Sequence, residues 1–423
     1  MEDTVYVEPA QLALGMFVVL ELSWLQHPFS FSSFVIQSEE QLATLRSLGL
    51  DKVRIDPARG LAPRAMPGQP ASQLPVVPDA APVVVPVVVP PTEKDMRIEH
   101  SRALRRNIAN AEKQAAKAVR LVRQATGKFS AEPGKAIAQA NDLVAGIAES
   151  LLDNSEMMVH LLGEKDPDGE VYHHSLNVAV LALILGKAVG VEAETLRTIG
   201  VAAIFHDLGM AQLPSTLRLK GEVLTPAEEH LLHDHCEIGA RLALRHGLPK
   251  AVAVAILQHH EHLDGSGYPN QLAGEQIGQV ARVIAIVNHY DHLCNPGNAV
   301  AATTPYEALS TMFATRRNWF DAAMLAKLVR VLGVYPPGSI VQLSSGATAI
   351  VISVNSGRPL QPMLLVYDAA IPKAEALILD LEKTPGINIS KALRASTLAP
   401  AVYEYLSPRK RVAYYFGEDM RTG

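Results

Sequence analysis

Residues 61–91 hold nine prolines and end in the valine–proline run Val83 to Pro91. Proline lacks a backbone N–H and fixes φ, so such a tract fits neither a helix interior nor a central strand. It reads as an extended linker, and no single hydrophobic core can run through it. The chain must fold as at least two units, one on each side. The tract's valines do not make a membrane span, because prolines interrupt them. No other apolar run reaches the roughly 20 residues that a span needs.

A length of 423 residues fits two to three domains. The net charge of −5 gives no electrostatic case for nucleic acid. Cys236 and Cys294 form no CxxC pair, and the N-terminus lacks a basic start followed by an apolar core. Both features point to the reducing cytoplasm. Residues 1–60 read as a small α+β unit, with strand-like Val18-Val19-Leu20 and Val53-Arg54-Ile55 and a helix over Glu39 to Leu48. Trp24 and His27-Pro28-Phe29 lie between them. After the linker at 61–92, residues 93–165 read as a helical connector, with helix from Glu93 to about Gln124 and again from Pro133 to Leu162. Such helices either dimerise or pack on the core. Arg102, Arg105 and Arg106 read as a solvated basic face. A helical domain is expected over 166–335. Tyr335-Pro336-Pro337-Gly338 then breaks the pattern, and Ser339 to Leu343, Ala347 to Val354 and Pro362 to Tyr367 read as strands of a small β-rich appendage over 336–423. The fold class expected is multi-domain and mainly α.

The chemistry concentrates in His259-His260-Glu261-His262-Leu263-Asp264-Gly265-Ser266-Gly267-Tyr268-Pro269. Two imidazoles and a carboxylate end an apolar, helix-like run from Ala251 to Leu257. Neighbouring side chains diverge by about 100° along a helix, so the pair converges only if the helix end points at the site. The turn residues that follow fold the chain sharply back, which suggests a metal site closed by a rigid loop. Upstream, Glu170 and His174 are four apart and share a helix face. That pair is either a ligand pair or an exposed decoration. His206-Asp207 ends the apolar run Ile199 to Phe205, before the helix-stop Leu208-Gly209, as ligands or as a cap. His235 lies in His-Cys-Glu-Ile-Gly, where Cys236 reads as a buried structural thiol. Imidazole with carboxylate suits Mn, Fe, Zn or Ni, and this many donors suits two ions, which can clamp a phosphoester. His160, His230, His233, His246, His262, His289 and His292 read as ordinary surface or supporting residues. His173 is ambiguous, as the neighbour of His174.

From about Glu170 to Asp321 the sequence resembles an HD-GYP domain, a branch of the HD phosphohydrolases. The resemblance rests on His174, His206-Asp207, His235 in His-x-x-x-Gly, His259-His260-Glu261 and Asp264-Gly-x-Gly-Tyr-Pro269. Leu213-Pro214, Leu224-Thr225-Pro226-x-Glu228, Gly274-Glu275-x-Ile277 and Arg282 match the intervening positions. Residues 1–60 resemble the small uncharacterised domain often found ahead of it. The resemblance implies an all-helical HD-type domain binding two or three divalent metals, iron or manganese. The implied ligands are Glu170, His174, His206, Asp207, His235, His259 and His260, with Asn288 at the place of the last one. Asp207 and Asp291 are the implied catalytic carboxylates. Gly267, Tyr268 and Pro269 would shape the substrate pocket, with Tyr268 placed to stack on guanine, and Arg282 would serve as a structural ion-pair partner. The implied activity is hydrolysis of the bacterial second messenger cyclic di-GMP to pGpG or GMP. The implied partners are cyclic di-GMP, a diguanylate cyclase and a second copy of the chain.

Three departures bear on activity. Met210 stands where the family has a phosphate-binding Lys. Asn288 replaces a carboxylate with a weaker, neutral donor. Gly297-Asn298-Ala299-Val300 replaces a segment that carries Arg or Lys. Weakened hydrolysis is one expectation. The alternative is a degenerate domain that binds cyclic di-GMP, or docks a protein, without turnover.

Overall fold

The computed structural model describes residues 5–22, 29, 33–57, 59–60, 106, 110, 113–153, 157–162, 170–218, 224–296, 303–355, 358–373, 376–394, 397–406 and 413–418. Trp24, His27-Pro28, the whole 61–92 tract, Arg102 with Arg105, and 297–300 fall outside the described residues, as does the side chain of Glu170. The chain divides into two compact units, Met1–Ala103 with Asp368–Glu375, and Leu104–Tyr367 with Ala376–Gly423.

The first unit contains strands β1 (Val5–Val7), β2 (Phe17–Val19), β3 (Ser33–Val35) and β4 (Val53–Ile55), with helix α1 (Glu39–Ser47). The strands form an antiparallel sheet in the order β1-β4-β2-β3. The Ser38 hydroxyl caps α1 by accepting from the Gln41 N–H, and Glu39 and Glu40 favour the positive helix start. Val18, Ile36 and Leu45 form the buried centre.

The second unit runs through α2 (113–127), α3 (Pro133–Asp153), β5 (Met157–Leu162), α4 (Glu170–Val189), α5 (Ala193–Phe205) and the short α6 (Ser215–Arg218). Helices α7 (Pro226–His233), α8 (His235–Arg245), α9 (Lys250–Gln258), α10 (Gln279–Cys294), α11 (Pro305–Thr315) and α12 (Ala322–Leu332) follow. Strands β6 (Ile340–Leu343), β7 (Thr348–Asn355), β8 (Met363–Val366), β9 (Ile378–Asp380) and β10 (Ile389–Leu393), helix α13 (Pro400–Leu406) and β11 (Ala413–Glu418) complete it. Every residue of α4 from Val178 to Leu185 is buried. A helix apolar all round belongs at the centre of its bundle, and α5, α10 and α12 pack around it.

The expected helix from Pro133 to Leu162 is corrected: it stops at Asp153, and Met157–Leu162 is a strand. β5 joins the C-terminal sheet, in the order β10-β6-β7-β5-β11, with β8 on β7 and β9 on β8. Six mostly apolar residues carry no periodicity that separates helix from strand, and the strand's partners lie far downstream in sequence. No helix among the described residues is long and apolar enough to cross a membrane.

Candidate metal centre

Three histidines reach one spot by the same device. His206 follows the last residue of α5, His259 follows the last residue of α9, and His235 comes just after α7 at the start of α8. Helix ends leave carbonyls without partners. Here Nδ1 of His206 donates to the Ala203 carbonyl (2.7 Å), His235 to that of Leu232 (2.7 Å) and His259 to that of Ile256 (2.6 Å). A carbonyl can only accept, so each Nδ1 carries the proton and each Nε2 keeps its lone pair. His174 on α4 is fixed in the same sense, with Nδ1 donating to Asp291 Oδ2 at 2.7 Å. Asp291 is fully buried and also accepts from the side-chain amides of Asn177 (2.8 Å) and Asn295 (2.9 Å). Asp291 touches the centre through His174.

The free Nε2 atoms gather in two pairs, His174 with His206 at 3.1 Å and His235 with His259 at 3.4 Å. Two lone pairs at that distance repel unless a cation lies between them. The spacing is that of neighbouring ligands on one ion with bonds of about 2.1 Å. Asp207 joins the pairs. Its Oδ2 is 3.2 Å from His206 Nε2 and 3.8 Å from His174 Nε2, while its Oδ1 is 3.5 Å from His235 Nε2 and 3.7 Å from His259 Nε2. His260 completes the second group. Asn288 is 2% exposed, and its Oδ1 has no hydrogen-bond partner among the described residues, as expected of a donor meant for a cation. The negative C-terminal ends of α5 and α9 add attraction for positive charge. This donor set suits divalent metal.

Burial alone would raise the Asp207 carboxyl, but the imidazoles of His206, His259 and His235 outweigh it and hold it well below the usual carboxylate range. Burial lowers His259 to about 4 and His260 well below the ordinary imidazole value, so both are neutral and ready to coordinate. His174 is raised: burial pulls it down, but Asp291 and Asp207 prevail. Burial pushes the Cys236 thiol up, so it stays protonated and structural.

The loop after His260 is held by Glu261, 1% exposed, whose carboxylate accepts from the Asn270 N–H (2.7 Å) and the Leu272 N–H (2.9 Å). A Cβ on Gly267 would lie 2.3 Å from His262 N, so only glycine lets the loop fold this close to the backbone. A cis Tyr268-Pro269 peptide bond follows. The Tyr268 ring stacks on His233 (3.5 Å between centroids) and on His260 (4.6 Å). Tyr268, which the resemblance places to stack on guanine, stacks here on two imidazoles. Tyr268 backs His260 with its ring and with its N–H, which donates to the His260 carbonyl at 3.1 Å.

Arg282 donates to the carbonyls of Ile277 (2.8 Å) and Gly274 (3.0 Å) and lies 3.7 Å from Asp321. It is structural, as the sequence indicated. Met210 sits in the 3-10 turn Leu208–Gln212 directly after the centre. The sequence grouped Glu261 with the ligand-type residues of its motif, whereas its carboxylate holds the loop; His233, read as a surface or supporting residue, supports the Tyr268 ring. A carboxylate placed just before a glycine-rich loop, where bare N–H groups need acceptors, was the available signal for Glu261.

Residues 149–324 match the family model of an HD domain, and residues 5–140 match that of a domain of unknown function. Over 368 residues the chain is 32% identical to the cyclic di-GMP phosphodiesterase PA4108 of Pseudomonas aeruginosa, covering 86% of this chain and 85% of that protein. It is 33% identical over 152 residues to the cyclic di-GMP phosphodiesterase response regulator RpfG of Xanthomonas campestris pv. campestris, covering 36% of this chain and 40% of that one. Among solved structures, Bd1817, a HDG"Y"P protein from Bdellovibrio bacteriovorus, aligns with a TM-score of 0.40 at 15% identity, covering 77% of this chain and 98% of that chain. The likeness to PA4108 along most of both chains, with the HD match falling on the residues that bring these histidines together, makes this chain a member of the HD-GYP family.

Proposed function

We propose that the protein is a metal-dependent phosphodiesterase that hydrolyses cyclic di-GMP to pGpG or GMP, and does so slowly. One observation carries the reading: a single carboxylate, Asp207, faces one imidazole pair with each of its oxygens. Two divalent ions, iron or manganese, would supply Lewis acidity toward a phosphoryl oxygen and acidify water at the site. His174 and His206 would hold one and His235, His259 and His260 the other, with Asp207 between them, Glu170 added to the first set and Asn288 to the second. Asp291 is a positioning residue that sets the tautomer and direction of His174. Gly267, Tyr268 and Pro269 form the wall that steadies His260. The naming of PA4108 and RpfG as cyclic di-GMP phosphodiesterases supports the substrate, and that substrate would place the enzyme in the cytoplasm. A diguanylate cyclase partner and a homodimer belong to the same reading.

Slow turnover follows from Met210, whose thioether offers no charge to a phosphate, and from Asn288, whose amide cannot offset the charge of a cation. One lost electrostatic contact costs on the order of 3 kcal/mol in the transition state, about a hundredfold in rate. The test is chromatographic turnover of cyclic di-GMP with Mn²⁺ and Fe²⁺. Wild type should turn over slowly, Met210→Lys and Asn288→Asp faster, and Asp207→Ala not at all. Tight cyclic di-GMP binding without product in any of them would instead establish a binding module.

A further inference from the structure

From Lys113 to Ala131 the chain has five cations, Lys113, Lys117, Arg120, Arg123 and Lys128, and no acid, although its net charge is −5. Helix α2 carries most of this stretch. It buries Ala118, Val119, Val122 and Ala125 and leaves Arg120, Arg123 and Gln124 exposed. A charged helix face is ordinarily only solvated. This one forms a wall of a cavity of about 430 Å³, lined by Arg120, Arg123, Gln124, Gly127, Lys128 and Tyr172. Small-molecule sites run to roughly 300–1,000 Å³. Arg120 to Lys128 spans about 12 Å of helix length. The opposite wall is the half-buried Tyr172, in the first turn of α4. The Arg123 guanidinium carbon lies 5.5 Å from the centre of the Tyr172 ring. Among the described residues neither Arg120 nor Arg123 meets a carboxylate, while Lys128 shares Glu132 with Lys135 at 3.8 and 3.5 Å. Tyr172 precedes His174 by two positions, about 200° around α4, so the cavity and the metal centre lie against different faces of that helix.

We infer that this cavity is a binding site, separate from the metal centre, for a nucleotide that bears a terminal phosphate monoester. A monoester carries about −1.5 to −2 charge at pH 7 and three acceptor oxygens, which three clustered cations match better than they match the single charge of a diester. The arginine forks take phosphoryl oxygens two at a time. The Tyr172 ring and the guanidinium plane of Arg123 offer a base a face to stack on. Gln124 brings an amide that both donates and accepts, suited to the edge of a base. The choice of guanine as the base rests on the proposed activity, since pGpG and GMP end in such monoesters and cyclic di-GMP has only diesters.

The experiment is equilibrium dialysis of the full-length protein against labelled GMP, pGpG and cyclic di-GMP, with metal stripped by EDTA so that nothing is turned over. GMP and pGpG should bind, and inorganic phosphate should bind about tenfold more weakly for want of a base. Arg120→Ala combined with Arg123→Ala should weaken GMP about 10- to 100-fold. Lys113→Ala removes a charge from the same helix about 10 Å before Arg120 and should leave GMP binding unchanged. An equal loss in Lys113→Ala overturns the inference, because a merely solvated basic face would give it. GMP binding that survives the double substitution overturns it too, as does a failure of wild type to bind GMP or pGpG. Cyclic di-GMP binding weakened by the double substitution as much as GMP binding would overturn the preference for a monoester. Because the dialysis involves no turnover, its failure leaves the proposed activity standing, and an inactive enzyme that passes it leaves this site standing.

Discussion

At the scale of single residues, the centre is built by fixing one nitrogen of each imidazole so that the other is free. Asp291 does this for His174 with a charge, where helix-end carbonyls serve the other three. Asp291→Asn should therefore preserve the fold and weaken metal binding at that position by about 10- to 100-fold. Competition against a chromophoric chelator measures this, and unchanged affinity would remove Asp291 from the positioning role. A second prediction concerns acid. In the metal-free protein His259 is lowered to about 4 and His260 is well below its ordinary 6.5, so the unfolded chain takes up protons that the folded one refuses. Their contribution to stability is complete above about pH 6.5 and falls as pH drops from there toward 4. His174, raised, works in the opposite sense, one imidazole against several, since burial also lowers His289 to about 3 and His292 to about 4. Urea midpoints of metal-free protein across this range should decline; a flat profile would contradict the burial of neutral imidazoles. The donor types were legible in the sequence, since His206-Asp207 and His259-His260 stand at the ends of apolar runs. The carbonyl and carboxylate partners were not, because a tautomer is set by contacts that only the fold makes, such as that between His174 and Asp291, 117 positions apart.

At the scale of elements, the turn after α5 must lie almost on the backbone of α8 for Asp207 to meet His235. A Cβ on Gly209 would sit 2.0 Å from the His235 carbonyl oxygen and 2.7 Å from Gly239 N. Gly209→Ala should push the two apart, cost about 1–3 kcal/mol of stability and lower bound metal. Gly134→Ala on α3, where nothing lies within 4 Å, should be neutral or slightly stabilising. Equal effects in the two would show that glycine at 209 is not a matter of close approach. Glu261→Ala would leave two loop N–H groups without their charged acceptor, about 1.5–3 kcal/mol for each bond. Differential scanning calorimetry reads that loss, and the stack of Tyr268 on His260 should loosen with it. Helices around the centre were visible as apolar runs, Ile199 to Phe205 and Ala251 to Leu257 among them, whereas the capping boxes of Thr225 with Glu228 and Thr304 with Glu307 are seen in the fold. β5 was not, because an isolated apolar hexamer shows its identity only when Ser353–Asn355 and Ala413–Glu418 lie beside it.

At the scale of the whole molecule, the sheet that follows the helices also contains a strand that precedes them. A fragment of residues 166–335, the span the sequence suggested for the helical domain, omits β5 and all its partners. That fragment should melt lower and aggregate more readily than residues 104–423, as followed by light scattering on heating; equal behaviour would show the sheet to be dispensable. The same arrangement bears on synthesis. β5 leaves the ribosome early, while the strand it pairs with from Met157 to Leu162 is about 250 residues away. At roughly 5–20 residues per second, translation leaves it waiting for tens of seconds. Until Ser353–Asn355 are made, about 190 residues on, this apolar strand has no native neighbour, and one of its edges stays open until β11 is made; exposed edges of that kind recruit other chains. Strand β11 thus closes a structure begun before the metal-binding helices were made, and a nascent chain stalled within that interval leaves this edge uncovered.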